Sequence, residues 1–125
     1  KEQALNAIKN LRKVLKKNNT YSLISSFKAY KKIDQPYLFG LNKNGYCISF
    51  DIPYDKNLNM NNLVRELNET TIKYNGQVYM AKTPCIDSQE FREMYTNIDV
   101  FKNIKNELDP NNLIESNLSR RLGLN

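Results

Sequence analysis

Apolar residues recur every three or four positions at the start of the chain and alternate with polar ones further on. Over residues 3–17 they fall on one helical face, which predicts an amphipathic helix. Over residues 21–30 both alternating faces are partly apolar, which predicts a strand in the interior of a sheet.

The clearest strand pattern covers residues 45–54. One face carries only large apolar side chains: Tyr46, Ile48, Phe50 and Ile52. The other face carries small or polar ones: Gly45, Cys47, Ser49 and Asp51. Because side chains alternate along a strand, the first face is predicted to join the core, and the second to line a cavity or face water. Pro53 is expected to end the ladder.

Helices dominate the rest of the chain. A helix is predicted from about residue 59 to 74, ended by Asn75–Gly76, with a short strand at residues 77–81. Three more helices are predicted: one after an Asp87–Glu90 capping box, one over residues 98–108, and one capped by Ser116. The order predicts an α+β fold, an antiparallel sheet with helices packed on it and a helical segment at the end.

Composition excludes several kinds of site. The 125 residues contain no histidine, so Ser-His-Asp triads, Cys-His dyads and His-ligated zinc are excluded. The four glycines form neither a GxGxxG nor a Walker A motif. Cys47 and Cys85 form no CxxC, so no metal site is expected, and two free thiols are favoured over a disulfide.

Positive charge is concentrated in the first third of the chain. Residues 1–43 carry ten Lys and Arg against two acidic residues, a net of +8, whereas residues 44–125 carry nine against eleven, a net of −2. With the tyrosines nearby, this charge suggests a small basic module that binds RNA or another polyanion. A solvated helix face with lysine-rich turns explains the same charge without a partner.

Three side chains are candidates for chemistry on position alone. Lys82 follows the strand predicted at residues 77–81, where an ammonium could stabilise a developing anion. Cys47 could line a pocket, and Tyr79 could stack on a planar ring. Each also has an ordinary structural explanation: a surface lysine, a small buried hydrophobe, and a core or sheet-edge tyrosine.

Four short motifs in order carry a family resemblance. They are a Gly-x-x-Tyr-x-Ala-Lys strand at residues 76–82, a Phe-x-x-Met-Tyr helix at residues 91–95, an Asp-Pro turn at residues 109–110 and a terminal Arg-Arg-Leu at residues 120–122. They resemble the C-terminal end of FAD-linked oxidoreductases of the vanillyl-alcohol-oxidase-like superfamily. The similarity is greatest to the decaprenylphosphoryl-β-D-ribose oxidase and sugar-lactone oxidase branch. It covers nearly the whole chain and is firmest over residues 45–124.

The resemblance implies a division of labour within a longer protein. Residues 1–84 would be the last part of a substrate or cap domain. Residues 85–125 would be a helical segment returning to an N-terminal FAD-binding domain that this sequence does not include. The missing initiator Met also indicates a fragment. The implied cofactor is FAD, which the fragment alone is not expected to retain.

The resemblance also assigns site residues. Lys82 matches a lysine beside flavin and substrate, Tyr79 a tyrosine lining the same cavity, and Cys47 a cavity-wall cysteine that is not an obligatory catalyst. Ser49 shares the pocket face, and Gly45 stands where the branch tends to carry a larger polar residue. Asp109–Pro110 and Arg120–Arg121 match structural features only.

The implied activity is oxidation of a secondary alcohol on a sugar-like or lipid-linked sugar substrate by hydride transfer to the flavin. No nucleic-acid partner and no transmembrane segment are expected on this interpretation. The parent protein is expected to be cytoplasmic, with membrane association left open.

Overall fold

The computed structural model describes residues 2–32, 37–40, 44–80 and 86–125. Within them the elements are helices α1 (Glu2–Lys17), α2 (Met60–Lys73), α3 (Ser88–Met94), α4 (Ile98–Leu108) and α5 (Asn117–Leu122), and strands β1 (Ile24–Tyr30) and β2 (Gly45–Asp51). This confirms the predicted α+β class. None of the helices in these ranges has the length and apolarity that crossing a bilayer requires.

The sheet is an antiparallel hairpin of β1 and β2. Among the described residues β1 pairs only with β2, and its side chains are exposed up to Ala29, so the prediction of an interior strand was wrong there. Both strands are also shorter than predicted. The Asp51 amide donates its hydrogen bond to the Ser22 hydroxyl at 3.0 Å and not to a backbone carbonyl. Further along, Pro53 has no amide hydrogen with which to extend the ladder.

The strand predicted at residues 77–81 is absent from its described part, residues 77–80. This segment bonds to α3 and its end instead. The Gln77 side-chain amide donates to the Met94 carbonyl at 2.7 Å, and the Tyr95 hydroxyl donates to the Val78 carbonyl at 2.6 Å. The alternating pattern therefore reflects packing against α3 here, because no strand among the described residues pairs with this segment.

Helices α1 and α2 pack together through Leu11, Leu15 and Leu63, all buried. At their edge Glu66 accepts hydrogen bonds from the Lys17 ammonium at 2.9 Å and from the Asn18 amide at 3.1 Å. These hydrogen bonds lower the pKa of Glu66 below its ordinary value, and the bond from Lys17 has the largest effect.

A second core joins the C-terminal helices to α2 and the segment after it. Its buried members are Ile86, Phe91, Met94, Tyr95, Ile98, Leu122 and Leu124. Ile72, Val78 and Met80 pack against them from the preceding part of the chain. The chain on both sides of residues 81–85 therefore shares one core.

The predicted capping box at Asp87 is present, and the predicted cap at Ser116 forms a second box. Asp87 and Glu90 form the box of α3, and Ser116 and Ser119 form that of α5. The Glu90 carboxylate also accepts a 2.9 Å hydrogen bond from the buried side chain of Asn68 in α2. The start of α3 is thereby fixed to α2 as well as to its own backbone.

Helix α4 ends at Asp109, as the Asp-Pro turn predicts. Ile98 is buried and Phe101 half-buried, but Ile104 and Leu108 are exposed. The Asp109 carboxylate accepts from the Lys105 ammonium at 2.7 Å and from the amides of Leu113 at 2.7 Å and Ile114 at 3.0 Å. These bonds fix the loop that follows the helix.

Candidate functional site

The register of the hairpin brings small and polar side chains of both strands to one face. Four cross-strand pairs lie on this face: Ile24 with Asp51 at one end, then Ser26 with Ser49, Lys28 with Cys47, and Tyr30 with Gly45. Ile24 is apolar and exposed, and the other three pairs comprise six residues. These six residues are called the polar hairpin face below. Since directly opposed residues in an antiparallel pair lie about 4.5–5.5 Å apart at Cα, each pair forms a local unit.

The centre of the polar hairpin face combines a cation, a thiol and two hydroxyls. The Oγ atoms of Ser26 and Ser49 are 2.7 Å apart, in a cross-strand hydrogen bond. Next to them the exposed Lys28 lies opposite Cys47, which is a half-buried free thiol. An ammonium beside serine hydroxyls can bind the hydroxyl or anionic groups of a polar ligand.

Gly45 leaves one end of this face open. A Cβ atom built at Gly45 meets nothing within 4 Å, so packing among the described residues does not require glycine here. The half-buried Tyr30 lies across the ladder from it. At this end, the face therefore has a tyrosine side chain on β1 and no side chain on β2.

The sequence analysis identified only one strand of this face. Cys47, Gly45 and Ser49 were predicted to share a face, and they do. Lys28 and Tyr30 were missed as site residues, because alternation within a strand does not give the register between strands. The signal available in the sequence was that Ser26 and Lys28 are two residues apart and therefore lie on the same face of β1.

The described residues place neither Tyr79 nor Lys82 on the polar hairpin face. Tyr79 is 56% exposed, between Val78 and Met80, which pack against the core. Its phenol is thus held on an anchored backbone and is open to solvent. Lys82 and Cys85 lie outside the described residues, so the role assigned to Lys82 stays a prediction.

A shallow cleft of about 210 Å³ lies elsewhere, between the segment at residues 37–40 and the end of α3. Three of its polar side chains, those of Gln77, Tyr95 and Asn97, make hydrogen bonds to backbone carbonyls. Asn97 donates to the Leu38 carbonyl at 3.1 Å, and Gln77 and Tyr95 make the bonds given above. Burial raises the pKa of Tyr95, so this phenol stays protonated at neutral pH.

This cleft does not fit a dinucleotide. Ligand pockets usually measure about 300–1,000 Å³, and neither Tyr79 nor Cys47 lines the cleft. Across residues 2–32, 37–40, 44–80 and 86–125, no three acidic or cysteine side chains cluster as a metal would require.

Arg120 serves a structural role in the described part of the chain. Its guanidinium contacts the Glu115 carboxylate at 2.6 Å and the Asn117 side-chain oxygen at 2.8 Å. Glu115 lies just before α5 and Asn117 is its first residue, so Arg120 ties the start of the helix to its own turn. This agrees with the expectation that Arg120 supports the fold.

Comparison with known proteins gives one family match and one informative relative. The model of the D-arabinono-1,4-lactone oxidase family matches residues 1–122. The chain is also 26% identical over 123 residues to decaprenylphosphoryl-beta-D-ribose oxidase of Mycolicibacterium smegmatis. The aligned region covers 98% of this chain. The match spans only 26% of that relative's length. Both names lie in the branch that the sequence motifs indicated, and the chain belongs to the D-arabinono-1,4-lactone oxidase family.

Proposed function

We propose that this chain is the substrate-binding, C-terminal part of an FAD-dependent oxidoreductase that oxidises a secondary alcohol of a sugar-like substrate. The observation that carries the proposal is the polar hairpin face in a chain of this family. The family and the relative are both named as oxidases, one of a lactone and one of a phosphoryl-linked ribose. The substrate class proposed is a sugar, free or linked to a lipid carrier.

The polar hairpin face suits a sugar-like ligand. A sugar presents several hydroxyls that both donate and accept hydrogen bonds. The Lys28 ammonium supplies donors only, and the hydroxyls of Ser26 and Ser49 supply donors and acceptors. Cys47 lies opposite Lys28 and is proposed as part of the wall, not as an obligatory catalyst.

Tyr79 and Lys82 are proposed as the catalytic residues. The exposed Tyr79 phenol can donate to a substrate oxygen or stack on a planar ring. Lys82 would lie near the flavin and the substrate, where its charge would orient the substrate hydroxyl and favour negative charge on the flavin. Both roles come from the family resemblance.

The cofactor belongs to the part of the parent protein outside this chain. When bound there, a flavin supplies the redox chemistry by accepting a hydride from the substrate carbinol. Residues 1–84 are proposed as cap-domain sequence over the substrate, and residues 85–125 as the segment that returns to the FAD-binding domain. This chain contributes binding and orientation.

The test uses Lys82→Ala in the parent protein. Flavin reduction by substrate, followed by stopped-flow absorbance under anaerobic conditions, is expected to fall by at least a hundredfold while flavin content stays unchanged. The matched control is Lys56→Ala, an exposed lysine in the turn before α2, which is expected to leave the rate unchanged. Reduction of the Lys82→Ala variant at the wild-type rate would refute the role.

The comparisons do not support the alternative of a polyanion-binding module, because neither the family nor the relative is named as a nucleic-acid-binding protein. Oligonucleotide binding across a salt series separates the two functions. Polyanion binding loses affinity steeply as salt rises, whereas an oxidase fragment is expected not to bind at low salt at all.

A further inference from the structure

Helix α1 presents a group of cations on one exposed side. Four basic residues, spaced three or four positions apart, are neighbours along the helix surface: Lys9, Arg12, Lys13 and Lys16. All four are exposed, whereas Leu11 and Leu15, on another side of the helix, are buried where α1 packs against α2. The four cations are called the basic face below.

Among the described residues, no acidic side chain forms an ion pair with the basic face. The one cation of α1 that has such a partner there is Lys17, which contacts Glu66 at 2.9 Å. Glu2, the only acidic residue of α1, lies in the first turn. Like charges three or four residues apart repel each other and destabilise a helix. The basic face is therefore unfavourable for α1 by itself.

The helix dipole accounts for only part of this charge. Cations are stabilised near the C-terminus of a helix, and Lys16 lies in the last turn of α1. The effect falls off within that turn, so it does not extend back to Lys9 and Arg12. An anionic partner would offset the repulsion along the whole face.

We propose that the basic face binds the anionic headgroups of a lipid bilayer. Clusters of four or more Lys and Arg on a helix are attracted to acidic lipid surfaces, and each cation near the surface adds to binding. Because the buried side of α1 packs against α2, the helix lies on the headgroups and does not enter the hydrocarbon. The inference is independent of the proposed function, since it requires neither flavin nor turnover.

Exposed apolar side chains favour a bilayer over a nucleic acid. Leu5 lies four residues before Lys9, so it extends the same side of the helix, and it is 52% exposed. Tyr21, which is 62% exposed, follows the helix within about 14 Å of Lys17 along the chain. A membrane interface accepts leucine and tyrosine beside cations, whereas a phosphate backbone offers leucine no apolar partner. A second copy of this chain is disfavoured because two basic faces repel each other.

Vesicle sedimentation of the full-length parent protein tests the proposal at physiological salt. The protein is expected to bind vesicles of phosphatidylcholine mixed with phosphatidylglycerol and not to bind phosphatidylcholine alone. A triple variant with Lys9→Gln, Lys13→Gln and Lys16→Gln is expected to bind at least tenfold more weakly, because three cations are lost from the contact. Glutamine has nearly the helix propensity of lysine, so α1 is retained.

A matched control separates the basic face from net charge. The triple variant Lys31→Gln, Lys32→Gln and Lys56→Gln removes the same charge from exposed positions outside α1 and is expected to bind within about twofold of wild type. Equal losses in the two triple variants would overturn the proposal. Replacing the three lysines of the basic face by arginine keeps the charge and is expected to preserve binding.

Two further measurements identify the partner. Leu5→Ser leaves the cations in place and is expected to weaken vesicle binding several-fold, because an apolar contact with the interface is lost. An unchanged affinity of Leu5→Ser would remove the argument for a bilayer and overturn the proposal. Tighter binding of the parent protein to a single-stranded oligonucleotide than to the anionic vesicles, at the same salt, would overturn it in favour of a nucleic acid.

Discussion

Lys28 and Cys47 lie directly opposite each other in the antiparallel ladder, one exposed and the other half-buried. They come from strands separated by a loop, and neither is next to a residue that sequence motifs mark as catalytic. Their pairing places a fixed positive charge beside a thiol on the face that also carries the bonded Ser26 and Ser49. This pairing leads to the first two predictions.

Removing the Lys28 charge should weaken substrate binding. In the parent protein, Lys28→Ala is expected to raise KM roughly ten- to a hundredfold, because one charge-assisted hydrogen bond contributes roughly 1.5–3 kcal/mol. Lys28→Arg keeps the charge and should recover part of the loss. Steady-state kinetics check this, with Lys56→Ala as the control, and an unchanged KM for Lys28→Ala would exclude contact with substrate.

Cys47 should be protected by substrate without being needed for turnover. Alkylation at Cys47 in the parent protein, followed by peptide mass spectrometry, is expected to slow at saturating substrate and to block activity once complete. Cys47→Ser is expected to keep turnover within a few-fold of wild type, because the thiol is only part of the wall. Loss of turnover by a hundredfold in a folded Cys47→Ser protein would instead make the thiol essential.

Gly45 should accept a side chain at little cost to stability. Nothing lies within 4 Å of a Cβ built there, and glycine weakens strand interiors. Gly45→Asn is therefore expected to leave the free energy of unfolding within about 0.5 kcal/mol of wild type or to raise it. Urea denaturation measures this. The same variant in the parent protein should change KM between sugars of different size, and identical KM values would place the pocket elsewhere.

The Asp109 carboxylate should make stability depend on pH. The hydrogen bond from Lys105, followed by those from the Ile114 and Leu113 amides, lowers the pKa of Asp109 in the folded chain. Its stabilisation is therefore complete above the unfolded-state pKa of about 3.9 and is lost as pH falls through the lower folded-state pKa.

Urea midpoints across pH test this directly. Asp109→Asn is expected to have a lower midpoint than wild type at pH 7, and the difference should shrink below about pH 4. The control Glu107→Gln removes an exposed carboxylate of the same helix and should show no such pH dependence. A difference that stays constant from pH 7 to pH 3 would contradict the role of the ionised carboxylate.

Local signals in the sequence predicted the helices well and the strands less well. Asn59, Asp87 and Ser116 cap α2, α3 and α5 through bonds made within a few residues, so their positions follow from the sequence. The segment at residues 77–80 has strand-like alternation, but its bonding partners Met94 and Tyr95 lie 17 residues away. Such contacts decide the structure of this segment and are not visible in its own pattern.

The candidate site shows the same division. Alternation predicted the face shared by Cys47 and Ser49, because it depends only on position within one strand. The partner Lys28 depends on the register between β1 and β2, which a single strand does not determine. The family resemblance added Tyr79 and Lys82, and of these only Tyr79 lies in the described part of the chain.

Glu90 completes the cap of α3 and also accepts the buried Asn68 side chain of α2. Its carboxylate thus links the two stretches that the family resemblance assigns to different domains. Detaching α3 from α2 would strip Asn68 of its partner and weaken the cap in the same step. Hydrogen exchange is therefore expected to show α2 and α3 opening as one cooperative unit, so that the functional boundary near residue 84 is not a boundary in folding.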